Sequence, residues 1–171
     1  MIGYSEVLQT MAAMIIFSMI LMNANSLIHR NSMIQIDGEL EQEVISLGQE
    51  IIEEARSKSF DQVTVNAAAP PTNIPGGFTA PQNFPPAPNN MLRESFEAFE
   101  HYHNYSETIT TAHGDFSITV AVFYVDEDNF NWIGTQTTFK KIEVTVESEF
   151  LRSGNASRQY KLEFIRNYYA E

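Results

Sequence analysis

The sequence predicts an α+β protein in which a long N-terminal helix, first hydrophobic and then amphipathic, packs on a small C-terminal antiparallel β-sheet. Three observations carry this: an uncharged apolar run near the start, an apolar stripe at helical spacing directly after it, and period-two alternation over the last third of the chain. A segment holding all seven prolines separates the helical part from the alternating part. The expected organisation is an assembly or membrane helix over residues 1–30, its amphipathic continuation over 31–60, a Pro-rich surface loop over 61–92 and a β head over 93–171.

Within residues 1–30, no side chain between Glu6 and His29 is ionisable. The positions from Val7 to Ile28 span roughly 33 Å as a helix at about 1.5 Å per residue, close to the roughly 30 Å hydrocarbon thickness of a bilayer. A secretory signal peptide would show a basic leading region and a small-residue cleavage site. Here the first Lys or Arg is Arg30 and Asn23-Ala24-Asn25-Ser26 is only a weak candidate site, so the segment is expected to be retained. A buried core helix of a soluble protein is the plainer alternative, and it would normally carry a polar face that this run lacks.

From Ser32 onward Ile36, Leu40, Val44, Leu47, Ile51 and Ala55 fall at three- and four-residue spacing, with Glu39, Glu41, Glu43, Glu50, Glu53 and Glu54 opposite. Arg56 and Lys58 enter in the last turn, where cations complement the helix dipole. The helix is expected to stop near Phe60, on the order of 85 Å from its start. Asn23, Asn25, Ser26, Asn31, Ser32, Gly38 and Gly48 are poor helix formers, and bends or a melted turn are expected among them.

The proline density of residues 61–92 excludes a helix or a central strand. The segment reads as an extended loop, with Ile74, Phe78 and Phe84 as apolar anchors pinning it to a neighbour and a floppy linker as the bland alternative. Residues 93–102 suit one or two helical turns. Four strands are then expected at Glu107–His113, Phe116–Val125, Thr137–Ser148 and Arg158–Tyr168, joined by His113-Gly114-Asp115, Asp126-Glu127-Asp128-Asn129 and Ser153-Gly154-Asn155 as turns. In the third, Lys140, Ile142, Val144 and Val146 share one face and Phe139, Lys141, Glu143 and Thr145 the other. An antiparallel meander half-covered by the helix follows.

Composition narrows the function. With 43% hydrophobic residues over 171 positions there is material for one modest core and an appendage, which argues against a two-domain enzyme. Ten Lys+Arg against 22 Asp+Glu give a net charge of −12, which repels phosphate backbones, so nucleic acid is not an expected partner. The absence of cysteine removes disulfides, thiolate metal sites and a cysteine nucleophile.

Candidates for chemistry are sparse. His101 and His103 would share a face of a strand and lie near His113 in sequence, yet a third ligand in place is not predicted and solvent-exposed histidines are the plainer reading. Asp126 to Asn129 offer oxygens to calcium without the glycine and closing glutamate of an EF-hand, so a solvated turn is expected there. No nucleophile elbow and no phosphate-binding glycine motif is present, so no catalytic residue, metal or cofactor is expected. Asn104-Tyr105-Ser106 and Asn155-Ala156-Ser157 match the short glycan-acceptor pattern at Asn104 and Asn155. Glu6 is the residue that stands out: a lone carboxylate at the start of an apolar helix needs a partner in hydrocarbon, unless it lies at the surface as a favourable charge at a helix N-terminus.

The opening Met1-Ile-Gly-Tyr-Ser-Glu6-Val-Leu, the apolar run, the amphipathic helix ending Ile-Ile-Glu-Glu-Ala-Arg56-Ser-Lys-Ser-Phe60 and the β meander together resemble the type IV pilin and pseudopilin superfamily. The layout of the whole chain shares in the likeness, and the motif itself lies in the N-terminal segment. The resemblance implies that a prepilin peptidase trims a basic leader, that apolar helices bundle into a filament core, and that a glutamate near the new terminus neutralises the amino group of a neighbouring subunit. Glu6 is the matching position, sixth here where the family has its glutamate fifth. No basic leader stands before it in this sequence, and the family's helix proline is absent.

On that resemblance the chain is a non-enzymatic structural subunit of an extracellular type IV pilus-like filament, inner-membrane anchored before assembly. Assembly would run through Met1, Glu6, Val7, Met14, Ile15, Phe17, Ile20 and Leu21, and its partners would be copies of itself, the inner membrane and a pilus or secretion assembly machinery. The alternatives are a pseudopilin of a type II secretion-like system and a single-pass membrane-anchored binding module.

Overall fold

The computed structural model describes residues 3–67, 69–84, 92–153 and 156–170. The chain divides into two compact units, Met1–Glu41 and Gln42–Glu171. Helix α1 (Tyr4–Ser57, 54 residues) supplies the first unit's secondary structure and the opening element of the second.

In the first unit the helix is uninterrupted through Asn23, Asn25, Ser26, Asn31, Ser32 and Gly38, where bends or melting were expected. The reason is energetic: such residues disfavour helix by up to about 1 kcal/mol each, whereas proline, at about 3 kcal/mol and without an N–H, is absent from the segment. Two hydroxyls inside the apolar run are turned back on the backbone. Thr10 Oγ1 donates to the Val7 carbonyl and Ser18 Oγ to the Met14 carbonyl, both at 2.8 Å. No polar hydrogen is left pointing outward from them, as an apolar surrounding requires.

The second unit is α+β. Strands β1 (Ser106–Thr111), β2 (Gly114–Tyr124), β3 (Phe139–Ser153) and β4 (Ala156–Asn167) form one antiparallel meander in the order β1-β2-β3-β4. The four strands lie where alternation places them, with ends displaced by a few residues. Phe116, Ile118, Val120, Val122 and Tyr124 of β2 are buried, and opposite them Ile142, Val144 and Val146 of β3 continue the same face. Val44, Ile51 and Ala55 of α1 are fully buried, Leu47 is half-buried and Ile52 joins them. Ile36, assigned to the same stripe, is exposed. Contact with the sheet is close at Gly48, where a methyl group would stand 2.9 Å from Leu162 Cδ1 of β4.

The helix ends at Ser57, whose hydroxyl donates to the Glu54 carbonyl at 2.6 Å, competing for an acceptor of the last turn. Ser59 then pairs with Ala98 in a parallel bridge. Residues 93–102 form two 3-10 turns, Arg93–Ser95 and Phe99–Tyr102, matching the short helical turns expected there. The described part of the Pro-rich loop is pinned to its own head: Phe78 and Phe84 are buried, and the rings of Phe60, Phe78 and Tyr168 meet pairwise at 5.0–5.3 Å.

Candidate assembly surface

Positions 14–17 and 19–22 of the helix are apolar without a break, and steps of about 100° distribute such runs around the whole circumference. In the first unit this surface lies open. Val7, Met14, Ile15, Phe17, Ile20 and Leu21 are 46%, 72%, 60%, 62%, 59% and 54% exposed, and none of the apolar window is buried. Among the described residues this is the one helix long and apolar enough to cross a membrane. An apolar surface of this extent marks a site for lipid or protein.

Glu6 sits in the first turn. Gly3 is the cap residue: its carbonyl receives the Glu6 N–H at 3.0 Å, and its own N–H donates to Glu6 Oε2 at 3.2 Å. This is the return half of a capping box, satisfying one of the free donors of a helix start. Met1 and Asn155 lie outside the described residues. Asn104 is exposed with φ at +61°, on the bend that leads into β1.

The head contains a cluster that the sequence reading did not single out. Lys140, Asp61 and Glu100 are all fully buried. Lys140 Nζ donates to Asp61 Oδ2 at 2.6 Å, to Glu100 Oε2 at 2.8 Å and to the Phe60 carbonyl at 2.8 Å. The rings of Phe60, Phe84 and Tyr124 surround it at 4.7, 5.3 and 5.1 Å from their centroids. Asp61 Oδ1 accepts from Val63 N–H at 3.2 Å, Thr79 N–H at 3.1 Å and Thr79 Oγ1 at 2.7 Å. The Tyr124 hydroxyl lies 3.0 Å from Asp61 Oδ2. Glu100 Oε1 accepts from the Gln62 N–H. Burial pushes the Asp61 carboxyl upward, but the Lys140 charge and the bonds from Lys140, Thr79 and Val63 together hold it below the usual carboxylate range. Burial, with Asp61 beside it, drives the Tyr124 phenol far above its ordinary value. The signal was present in the alternation: Lys140 is in phase with Ile142, Val144 and Val146, on the apolar face of β3.

A second, shallower cluster joins α1 to the sheet edge. Arg93 Nε meets Glu54 Oε2 at 2.7 Å and its Nη1 meets Glu107 Oε1 at 2.8 Å, while Nη2 pairs with Glu50. Tyr102 donates to Glu54 Oε1 at 2.9 Å. Burial and Glu54 raise the Tyr102 phenol strongly, and burial with Glu107 pushes Tyr105 up to about 12.

The histidines go separate ways. His101 Nδ1 accepts from Glu97 N–H, His103 Nδ1 accepts from Val122 N–H, and His113 Nδ1 lies 2.6 Å from Glu43 Oε2. His101 lies in a 3-10 turn and His103 caps it, so the shared strand face assumed for the pair does not exist. Asp126 Oδ1 accepts from the N–H groups of Asp128 and Asn129, organising the β2–β3 loop from within. Among the described residues no group of three His, Asp or Glu side chains is placed to hold a metal ion. No family model, curated protein or solved structure matches this chain.

Proposed function

We propose that the chain is the structural, non-enzymatic subunit of a type IV pilin-like filament at the cell surface, held in the inner membrane before assembly. One observation carries the reading: a helix apolar on all sides and wholly exposed precedes a head whose own core is filled without it. Burying each such Val, Leu, Ile, Phe or Met side chain against copies of itself is favourable by roughly 1.5–3 kcal/mol. Summed over the run, this is a driving force large enough to offset repulsion between heads in a chain of net charge −12. The self-bonded hydroxyls of Thr10 and Ser18 let the helix sit in lipid or in a helical bundle. Glu6 would meet the amino terminus of a neighbouring copy. A pseudopilin rod of a type II secretion-like system would use the same surface.

The length and composition of the helix also favour a second reading, a single-pass anchor for a head that binds a ligand. Removing detergent from solubilised full-length protein separates the two. Micrometre fibres by negative-stain electron microscopy support the filament subunit, whereas incorporation into vesicles with no fibres at any protein concentration supports the anchor.

A further inference from the structure

We propose that Lys140 and Asp61 are the reacting pair of an intramolecular isopeptide bond, with Glu100 carrying the protons. The proposal rests on the head alone and does not depend on the filament reading.

The geometry supplies each part of such a reaction. Nζ of Lys140 is in contact with the Asp61 carboxyl, 2.6 Å from Oδ2, and Glu100 Oε2 stands 2.8 Å away on the same nitrogen. All three side chains are fully buried, and the aromatic rings of Phe60, Phe84 and Tyr124 line the site. A permanently closed ion pair is one use of such a site. Desolvated charges are costly, and an amide would remove two of the three. Condensation of an ammonium with a carboxylate is disfavoured in bulk water, but exclusion of water removes both the solvation of the reactants and the reagent for the reverse step.

The two Asp61 oxygens are held differently, which assigns their fates. Oδ1 accepts from Val63 N–H and Thr79 Oγ1 and shares the Thr79 N–H with Oδ2, each at 3.1 Å, an arrangement that stabilises an oxyanion developing on Oδ1. Oδ2 faces Lys140 and the Tyr124 hydroxyl. Glu100 takes a proton from Nζ, and the freed nitrogen lone pair forms a bond to Asp61 Cγ, placing negative charge on Oδ1. Glu100 delivers that proton to Oδ2, accepts a second from the nitrogen and passes it on as the Cγ–Oδ2 bond breaks. One water leaves, Oδ1 becomes the amide oxygen, and Glu100 ends as it began, a carboxylate accepting from the Gln62 N–H and the new amide N–H. Nothing is oxidised or reduced, and no other reagent is needed. The bond would join Asp61, four residues beyond the end of α1, to strand β3, across 79 positions of sequence.

The test is peptide mass spectrometry on the purified, denatured full-length wild-type protein. A branched peptide joining Asp61 to Lys140, lighter than its two parts by one water, is the expected result, with Lys140 refractory to acetylation after unfolding. Glu100→Gln should retain the fold by circular dichroism and lose the branched species, and Lys140→Arg should lose it altogether. Linear peptides carrying an acetylatable Lys140 in the wild type would overturn the proposal, and so would a link from Lys140 to Glu100.

Discussion

Arg93 Nε stands 2.7 Å from Glu54 Oε2, so a residue beyond the Pro-rich loop holds the last turns of α1 through the same carboxylate that receives the Tyr102 hydroxyl. Three carboxylates converge on Arg93, whose side chain is 20% exposed. Partial exposure discounts each pair, but a shared guanidinium makes them a network, and its removal leaves Glu54 and Glu107 facing each other across a half-buried space. Arg93→Met is expected to destabilise the head by about 1–3 kcal/mol. A lower urea midpoint with an unchanged slope, in a fragment beginning at Arg30, would be the signature. An unchanged midpoint would show the cluster to be a surface ornament.

That fragment should itself be soluble and folded. The second unit, Gln42–Glu171, is compact, and its helix–sheet core of Val44, Ile51, Ala55, Ile118, Val122, Ile142 and Val144 lies wholly within it. The surface discarded with residues before Arg30 is exposed already. Circular dichroism should show both helix and sheet with one cooperative melt. An unfolded fragment would mean that the head depends on the apolar helix.

His103 makes the head sensitive to mild acid. Burial lowers its pKa below the ordinary 6.5, and its Nδ1 already accepts the Val122 N–H, which a protonated nitrogen does not do. Because the folded value is depressed, the unfolded chain binds the extra proton in the window between the two values. Stability is therefore full above pH about 6.5 and falls as pH drops through that window. Urea titrations at pH 7.5 and 5.5 should show the loss, and His103→Gln should reduce it. A wild-type and a variant with the same pH slope would remove His103 from the account.

What the sequence made legible follows from the range of the forces involved. Helix and strands were readable because their signals are periodic and local: Val44, Ile51 and Ala55 repeat at helical spacing, and Ile118, Val120 and Val122 alternate. The exposed apolar helix was readable for the same reason. Lys140 was placed on the apolar face of its strand by that alternation, yet its meaning depended on Asp61 and Glu100, which are 79 and 40 positions away and come together just beyond the Ser59–Ala98 bridge. No spacing rule connects such residues. The loop anchors Phe78 and Phe84 were visible as apolar side chains among prolines, but that they close over their own head depends on the Tyr168 and Tyr124 rings. The shared face for His101 and His103 failed because the chain coils into a 3-10 turn before β1 begins.

Glu6 offers the sharpest test of assembly, because two roles for its carboxylate respond differently to substitution. As a cap, Oε2 accepts the Gly3 N–H at 3.2 Å and stabilises the first turn. As an assembly residue, it would enter a low-dielectric bundle, where an unpaired carboxylate is expensive and the amino terminus of an adjacent copy is a fitting cation. Glu6→Ala removes both roles. Deleting one partner of a buried pair costs about 3–5 kcal/mol, far more than the roughly 1 kcal/mol of a lost cap, so Glu6→Ala should slow or abolish fibre formation with the head still folded. Glu6→Gln keeps a hydrogen-bond acceptor for Gly3 and loses the charge. If neutralisation of a neighbour governs assembly, Gln should recover only part of the wild-type rate, measured by light scattering and confirmed by electron microscopy. Full recovery with Gln would leave the cap as the function of Glu6, and wild-type assembly by Glu6→Ala would remove the residue from the mechanism.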